Sequence, residues 1–392
     1  MKIVDVTPRF DAAPGRGSDV RIHGVLRQIS RSHEVRQFSQ ATWQDLRWQP
    51  RSRTIRHSST WEQWQWVHPL AAALGGVPVR AWPNAPLWAG RALSLFGPRK
   101  LDTWLAWADV VLVEFPWQFD FCRRRRAGGP LVYASMNVEA QKFASWARAS
   151  GVDPEGDRWV KWVERVEAEA VRGANCILAV SEADAEDFTQ RYGCPESKLV
   201  VVPNGADTTR IRPVPMRVRP VARRRLDLPE RPTVLFAGSD VPANRVGLDW
   251  LGRVAALAPE FSFVAVGSVS APAVVRGNLT RLGFVEDFGA ALAAADYALV
   301  PIEHGGGTKI KLLEFLAAGL PTLAFADCLG GLELPVVCVE KNARAIADAL
   351  RSLARDPERA SQLSHAARDA IAPDCDWQET TAPLERALAK LG

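Results

Sequence analysis

Residues 297–321 constrain this chain more than any other segment. An apolar run from Tyr297 to Ile302 meets Glu303, His304 and then three glycines, Gly305, Gly306 and Gly307. Thr308, Lys309 and a helical stretch follow, stopping at Gly319-Leu320-Pro321. The order predicts a strand, a tight turn and a helix over 308–318, since Gly and Pro past the last turn end a helix. Glycines between a strand and a helix let a ligand approach the backbone. The free N–H groups at the helix start favour an anion. Glu314 lies seven residues after Gly307, about 10 Å further along the axis at ~1.5 Å per residue. Phosphates held at the helix start would place a ribose near that carboxylate. An i,i+3 ion pair between Lys311 and Glu314 on an exposed face is the plainer alternative. No Gly-Lys-Ser/Thr closes the segment, and it lacks G-x-G-x-x-G with a distant acid. A nucleotide kinase and a dehydrogenase are both disfavoured against a nucleotide-sugar enzyme.

The rest of the chain has the same grammar. Apolar, β-branched runs at 2–6, 34–38, 109–114, 130–134, 176–180 and 199–202 alternate with helical stretches at 19–30, 158–172 and 182–192. A second series follows, with strands at 233–237, 261–266, 297–302 and 321–325 and helices at 247–258, 288–294, 308–318 and 342–354. Such alternation predicts parallel sheets covered on both faces. Between the two series, five prolines interleave with seven arginines from Ile211 to Pro232. That composition predicts a largely irregular linker. The expected organisation is an N-terminal domain over 1–210, a linker over 211–232, a second domain over 233–374 and a final amphipathic helix within 375–392. At 392 residues two cores are the default. Ligands in such sheets bind outside the carboxyl ends of the strands.

Composition removes other classes. No run of 18 apolar residues exists, so no membrane span is expected. Asp5 interrupts the opening run, which suits a strand rather than a signal peptide. The six cysteines are scattered, with no C-x-x-C pair, so neither a metal site nor a disulfide framework is indicated and a cytoplasmic setting is expected. The net charge of +5 includes the run Arg123–Arg126 and the cluster Arg223–Arg225. Those charges suit an anionic membrane surface or a phosphorylated substrate, or are simply solvated. No nucleic-acid motif accompanies them, so nucleic acid is not expected as a partner. Thirteen of the 15 tryptophans lie at or before Trp162, many between Trp43 and Trp107 where strand and helix signals are weakest. Core packing explains most of them, and the rest suit a sugar-stacking groove or a lipid interface.

Four blocks in order resemble the retaining glycosyltransferases of family 4, which have the GT-B fold. They are Val180-Ser181-Glu182-Ala183-Asp184, Val202-Pro203-Asn204-Gly205-Ala206-Asp207, the stretch from Phe236-Ala237-Gly238-Ser239 through Asn244 to Gly247-Leu248-Asp249-Trp250, and the glycine segment with its helix. The resemblance implies an α/β protein of two Rossmann-like domains facing across a cleft, the last helix crossing back to the first domain. It implies transfer of a sugar from a nucleotide-diphosphate sugar to an acceptor hydroxyl with retention. No cofactor or metal is then needed beyond the donor itself. Gly306 stands where relatives often carry a first glutamate, as in a Gly-rich branch of the family. Met136 stands where relatives often carry a histidine ahead of Asn137.

Residue by residue, the resemblance assigns Lys309, Lys311 and Glu314 to the catalytic centre. Gly238, Asn244, Arg245, Glu303, His304, Gly305, Gly306, Gly307 and Thr308 fall on the donor side. Gly15, Gly17, Ser18, Met136 and Asn137 fall on the acceptor side. Cations and helix-terminus amides would stabilise the leaving diphosphate. The expected partners are a nucleotide sugar, a carbohydrate or lipid-linked acceptor and an anionic membrane surface at the cytoplasmic leaflet. A monomer or weak dimer is expected. A non-catalytic binding module and a nucleotide-sugar epimerase of the same fold are the alternatives.

Overall fold

The computed structural model describes residues 1–8, 17–47, 49–79, 82–126, 128–303 and 308–392. The chain forms two compact units, one built mainly on Ile22–Pro203 and closed by Thr381–Gly392, the other built mainly on Asn204–Thr380.

The strands of the first unit are β1 (Lys2–Thr7), β2 (Glu34–Gln40), β3 (Arg53–Arg56), β4 (Trp61–Trp66), β5 (Val77–Val79), β6 (Trp82–Ala85), β7 (Val110–Glu114), β8 (Leu131–Ala134), β9 (Cys176–Ala179) and β10 (Leu199–Val201). Eight of them form one sheet in the order β10-β9-β8-β7-β1-β2-β4-β3. It is parallel except for β3, which runs antiparallel to β4 at the edge. Helices cover both faces, so β1 and β7 to β9 are buried along nearly their whole length. The β3–β4 hairpin lies in the tryptophan-rich region where no strand was expected. Its alternation is aromatic against amide: Gln63 and Gln65 are buried beside Trp61. Gln63 Nε2 donates to Ser39 Oγ at 2.9 Å, and Arg53 Nε donates to Gln65 Oε1 at 2.6 Å. These bonds let a polar row sit inside the sheet. Most tryptophans there serve the core; Trp61, Trp66, Trp104 and Trp117 are buried, while Trp43 is exposed.

The second unit holds β11 (Thr233–Ala237), β12 (Ser262–Val266), β13 (Val274–Arg276), β14 (Leu279–Gly283), β15 (Tyr297–Val300), β16 (Thr322–Ala324) and β17 (Val337–Cys338). Their order is β13-β14-β12-β11-β15-β16-β17, with only β13 antiparallel. The chain builds outward from β11 on one side, then crosses to lay β15 on the other. The carboxyl ends of β11 and β15 therefore border a topological switch point, where open α/β sheets bind ligands.

The 211–232 segment differs from its expectation as an irregular linker. It forms a helix, Arg219–Arg225, packed on the helix Phe288–Ala294 with Ala222 and Leu228 buried. Asp296 explains the difference. Its carboxylate accepts from Arg219 Nη1 at 2.7 Å, from the Thr233 amide at 2.7 Å and from Arg223 Nη2. Two arginines that read as solvated charge are ligands to one half-buried acid. Among Thr381–Gly392, Glu385 bonds His33 at 2.8 Å inside the first unit. Among the described residues, no helix is long and apolar enough to cross a membrane.

Candidate functional site

The switch point is built from glycine first. Gly238 follows β11, and its N–H donates to Val266 O at 3.0 Å. A Cβ at Gly238 would come within 2.8 Å of Asn244 Cγ, and one at Gly267 (φ +96°) within 2.2 Å of Gly238 O. Close backbone packing at the strand ends thus demands both glycines. Asn244 Nδ2 donates to Ser239 O at 2.8 Å, holding the turn. Arg245, expected to meet the donor, makes a two-pronged pair with Asp240 at 2.6 and 3.0 Å. Both side chains are half exposed, so the pair is worth only about 0–1 kcal/mol and leaves the guanidinium able to take another partner.

On the other side of the switch point, β15 leads to Glu303. Its Oε1 accepts from Trp250 Nε1 at 2.5 Å, which fixes the carboxylate's direction. His304, Gly305, Gly306 and Gly307 lie outside the described residues, as does Gly15. The helix beyond begins at Ile310 rather than Thr308 and ends at Ala317, with Lys309 as its cap. Gly319 closes it at φ +69°. Thr308 is pinned just before the helix: its hydroxyl donates to Leu329 O at 2.9 Å and its carbonyl accepts from Asn204 Nδ2 at 2.9 Å. With the hydroxyl proton of Thr308 engaged by Leu329 O, its backbone amide is the donor suited to face a phosphate.

Lys309 N donates to Cys328 O at 3.2 Å, and the Cys328 thiol donates to Val300 O at 3.2 Å and to Ile302 O at 3.3 Å. The turn at Cys328–Leu329 thus ties the helix start to the end of β15. Burial pushes the Cys328 thiol above its ordinary value.

Glu314 sits two turns into this helix and is only 7% exposed. Lys311 Nζ lies 2.6 Å from its Oε2 and 4.3 Å from the Phe288 ring centre. The i,i+3 pair exists, yet its acid is nearly buried rather than solvated.

Gly17 and Ser18 open the helix Gly17–Ile29, and Ser18 Oγ donates to Asp19 Oδ1 at 3.3 Å. Past β8, the Ser135 hydroxyl donates to Asn137 O at 2.7 Å, and Asn137 Nδ2 donates to Glu139 Oε1 at 3.3 Å. Met136 packs beside a core that includes Phe115, Trp117 and Phe143. This segment hangs on Glu167, which the sequence reading missed. Its carboxylate accepts from the amides of Glu139 and Ala140 at 2.8 and 2.9 Å. Tyr133 and Tyr192 hydroxyls donate to it at 2.9 and 2.8 Å. Burial outweighs these donors and lifts its pKa to about 7. Asn204 and Trp250 were also passed over, although both stand inside the blocks that carry the family resemblance. Among the described residues, no group of three His, Cys, Asp or Glu is placed to hold a metal ion.

Two family profiles match the sequence: Glycosyltransferase Family 4 over residues 15–210 and Glycosyl transferases group 1 over residues 231–356. A D-inositol 3-phosphate glycosyltransferase of Salinispora tropica is 31% identical over 245 residues, or 56% of this chain and 49% of its own. The chain therefore spans about half the length of that relative. A protein of the same name from Xylanimonas cellulosilytica is 30% identical over 311 residues, 71% of each chain. The solved structure of sucrose-phosphate synthase from Thermosynechococcus elongatus superposes with a TM-score of 0.76 at 18% identity, covering 100% of this chain and 99% of that one. At such identity the likeness shows the fold alone, which is GT-B.

Proposed function

The chain belongs to glycosyltransferase family 4, and on that premise we propose that it moves a sugar from a nucleotide-diphosphate sugar to an acceptor hydroxyl with retention. The observation that carries the proposal is Glu314: a nearly buried carboxylate two turns along a helix that starts at the switch point, braced by Lys311. Phosphates at the amides of the glycine segment and Thr308 would leave a ribose within reach of that acid. Lys309, with the amides of the glycine segment, would stabilise charge on the departing diphosphate. Glu303, aimed by Trp250, is suited to accept hydrogen bonds from the transferred sugar in the place of the glutamate that Gly306 replaces.

The acceptor in this reading is a carbohydrate or a lipid-linked molecule of a cell-surface polysaccharide or glycolipid, met at the inner face of the cytoplasmic membrane. The basic charge of the chain supports an anionic acceptor, as does the inositol 3-phosphate in the names of two relatives. Purified protein titrated with UDP- and GDP-sugars in a thermal-shift panel tests the donor half, and transfer from the stabilising donor to membrane extract tests the acceptor half. No stabilisation by any nucleotide sugar would end the proposal. Binding without turnover would instead favour a non-catalytic module, a reading that the packed Met136 at the usual histidine position supports. Donor turnover with no acceptor would favour an epimerase.

A further inference from the structure

The helices Ala89–Phe96, Phe119–Arg125 and Arg158–Gly173 of the first unit enclose a cavity of 600 Å³. Arg91, Arg123, Arg124, Arg165 and Arg172 line it, against the acids Asp120 and Glu169, a surplus of three positive charges. Asp120 is already shared by Arg123 and Arg124, each at 2.8 Å. Among the described residues, neither Arg165 nor Arg172 has an ion-pair partner. Trp117 also lines the cavity, with Trp162 stacked on it at 6.0 Å. Trp117 is 4% exposed, yet its Nε1–H finds no acceptor. Every unpaired polar group here except Glu169 is a donor. The wanted ligand carries negative charge and several acceptor oxygens.

The cavity runs from Pro116 and Trp117, just past the carboxyl end of β7, toward the amino end of the sheet. Arg123 and Arg124 lie in the last turn of a helix that runs back from the end of β7. Arg172 and Gly173 lead into the amino end of β9. We propose that this flank cavity is a second site, which binds the phosphoryl group of a phosphate ester between Arg165 and Arg172. Its volume leaves room for the alcohol portion of the ester against the indole pair. The cavity lining shares no residue with the candidate donor and acceptor sites.

Two sources share this chemistry, a soluble phosphate ester and a phospholipid headgroup. Calorimetric titration with sn-glycerol 3-phosphate at low salt probes the first. Flotation with phosphatidylcholine vesicles, with and without phosphatidylglycerol, probes the second. The protein is expected to bind at least one, more weakly as salt rises. R165Q/R172Q, both at exposed positions, is expected to weaken that binding by about tenfold or more, since hydrogen bonds to charged groups are lost. Thermal melts of the variant matched to wild type establish that the fold is intact. Saturable glycerol phosphate binding that the arginine variant loses assigns a soluble ester. Association only with phosphatidylglycerol vesicles, lost in the same variant, assigns a headgroup. Binding of neither probe, or binding unchanged in a folded R165Q/R172Q protein, overturns the proposal.

Discussion

Lys311 Nζ stands 2.6 Å from Glu314 Oε2 and 4.3 Å from the centre of the Phe288 ring. The ammonium is thus held by a carboxylate and a ring face together, beside a nearly buried acid. A nucleotide ribose that bonds Glu314 meets an acceptor already oriented. E314Q should therefore weaken binding of the stabilising nucleotide by about 1.5–3 kcal/mol, through loss of a charge-assisted acceptor. K311A should weaken it too, and the double variant should fall short of the sum, as expected for residues in contact. Calorimetry on the four proteins measures this, and an unchanged Kd in E314Q removes Glu314 from the site.

The two lysines should separate in kinetics. Lys311 is engaged along the helix by Glu314, whereas Lys309 caps the helix start next to the glycine segment. K309A is expected to lower single-turnover transfer by more than about tenfold, because a cation facing the leaving diphosphate is lost. K311A should lower nucleotide affinity and melting temperature more than turnover. Full transfer rates in both variants would show that the diphosphate lies elsewhere.

Much of the fold could be read from hydrophobic pattern because strands such as Val110–Glu114 and Thr233–Ala237 are buried on both faces and appear as unbroken apolar runs. What escaped was polar and inside. Gln63 and Gln65 look like solvent positions, yet they lie in a buried row with Ser39. Glu167 follows Val160 and Val163 on the apolar stripe of its helix and precedes Ala170 and Val171, so its spacing marked it as an inward acid. The Arg219–Arg225 helix was hidden because its partner, Asp296, is some 70 residues away in sequence. The candidate donor residues were legible through Glu314 and the strand–glycine–helix order. The fixing contacts of Asn204, Trp250 and Cys328 come from three separate segments and have no local signature.

Asp296 is the keystone of the second unit's entry segment. It takes Arg219, Arg223 and the Thr233 amide at once, with its side chain 16% exposed. D296A leaves two largely buried guanidiniums without their acid and should destabilise the unit by about 3 kcal/mol. D296N keeps the acceptor oxygen for Thr233 and should cost less. Urea unfolding followed by amide hydrogen exchange of β11 and β12 reads the second unit. A midpoint unmoved by D296A would mean that the helix Arg219–Arg225 is held by its apolar face alone.

Asp5 supplies a pH dependence of definite sign. It is fully buried on β1, facing Gln37 on β2, Glu114 on β7 and His23 on the helix Gly17–Ile29. Burial raises its carboxyl from the ordinary 3.8 to about 7, against smaller opposing effects of Glu114, Gln37 and His23. The folded chain therefore keeps a proton that the unfolded chain has released between those values. Stability contributed by the neutral acid is present below the unfolded value and lost as pH rises toward 7, with a slope of at most about 1.4 kcal/mol per pH unit for one group. Glu167, also lifted to about 7 by burial, adds a slope of the same sign. Wild-type protein should become easier to unfold by denaturant between pH 5 and pH 7.5, values chosen to bracket the upper part of that window. D5N cannot ionise, so its midpoint should fall less over the same range and exceed that of wild type at the alkaline end. Parallel curves for the two proteins would show that Asp5 stays charged in the fold, its cost met by Gln37 and His23.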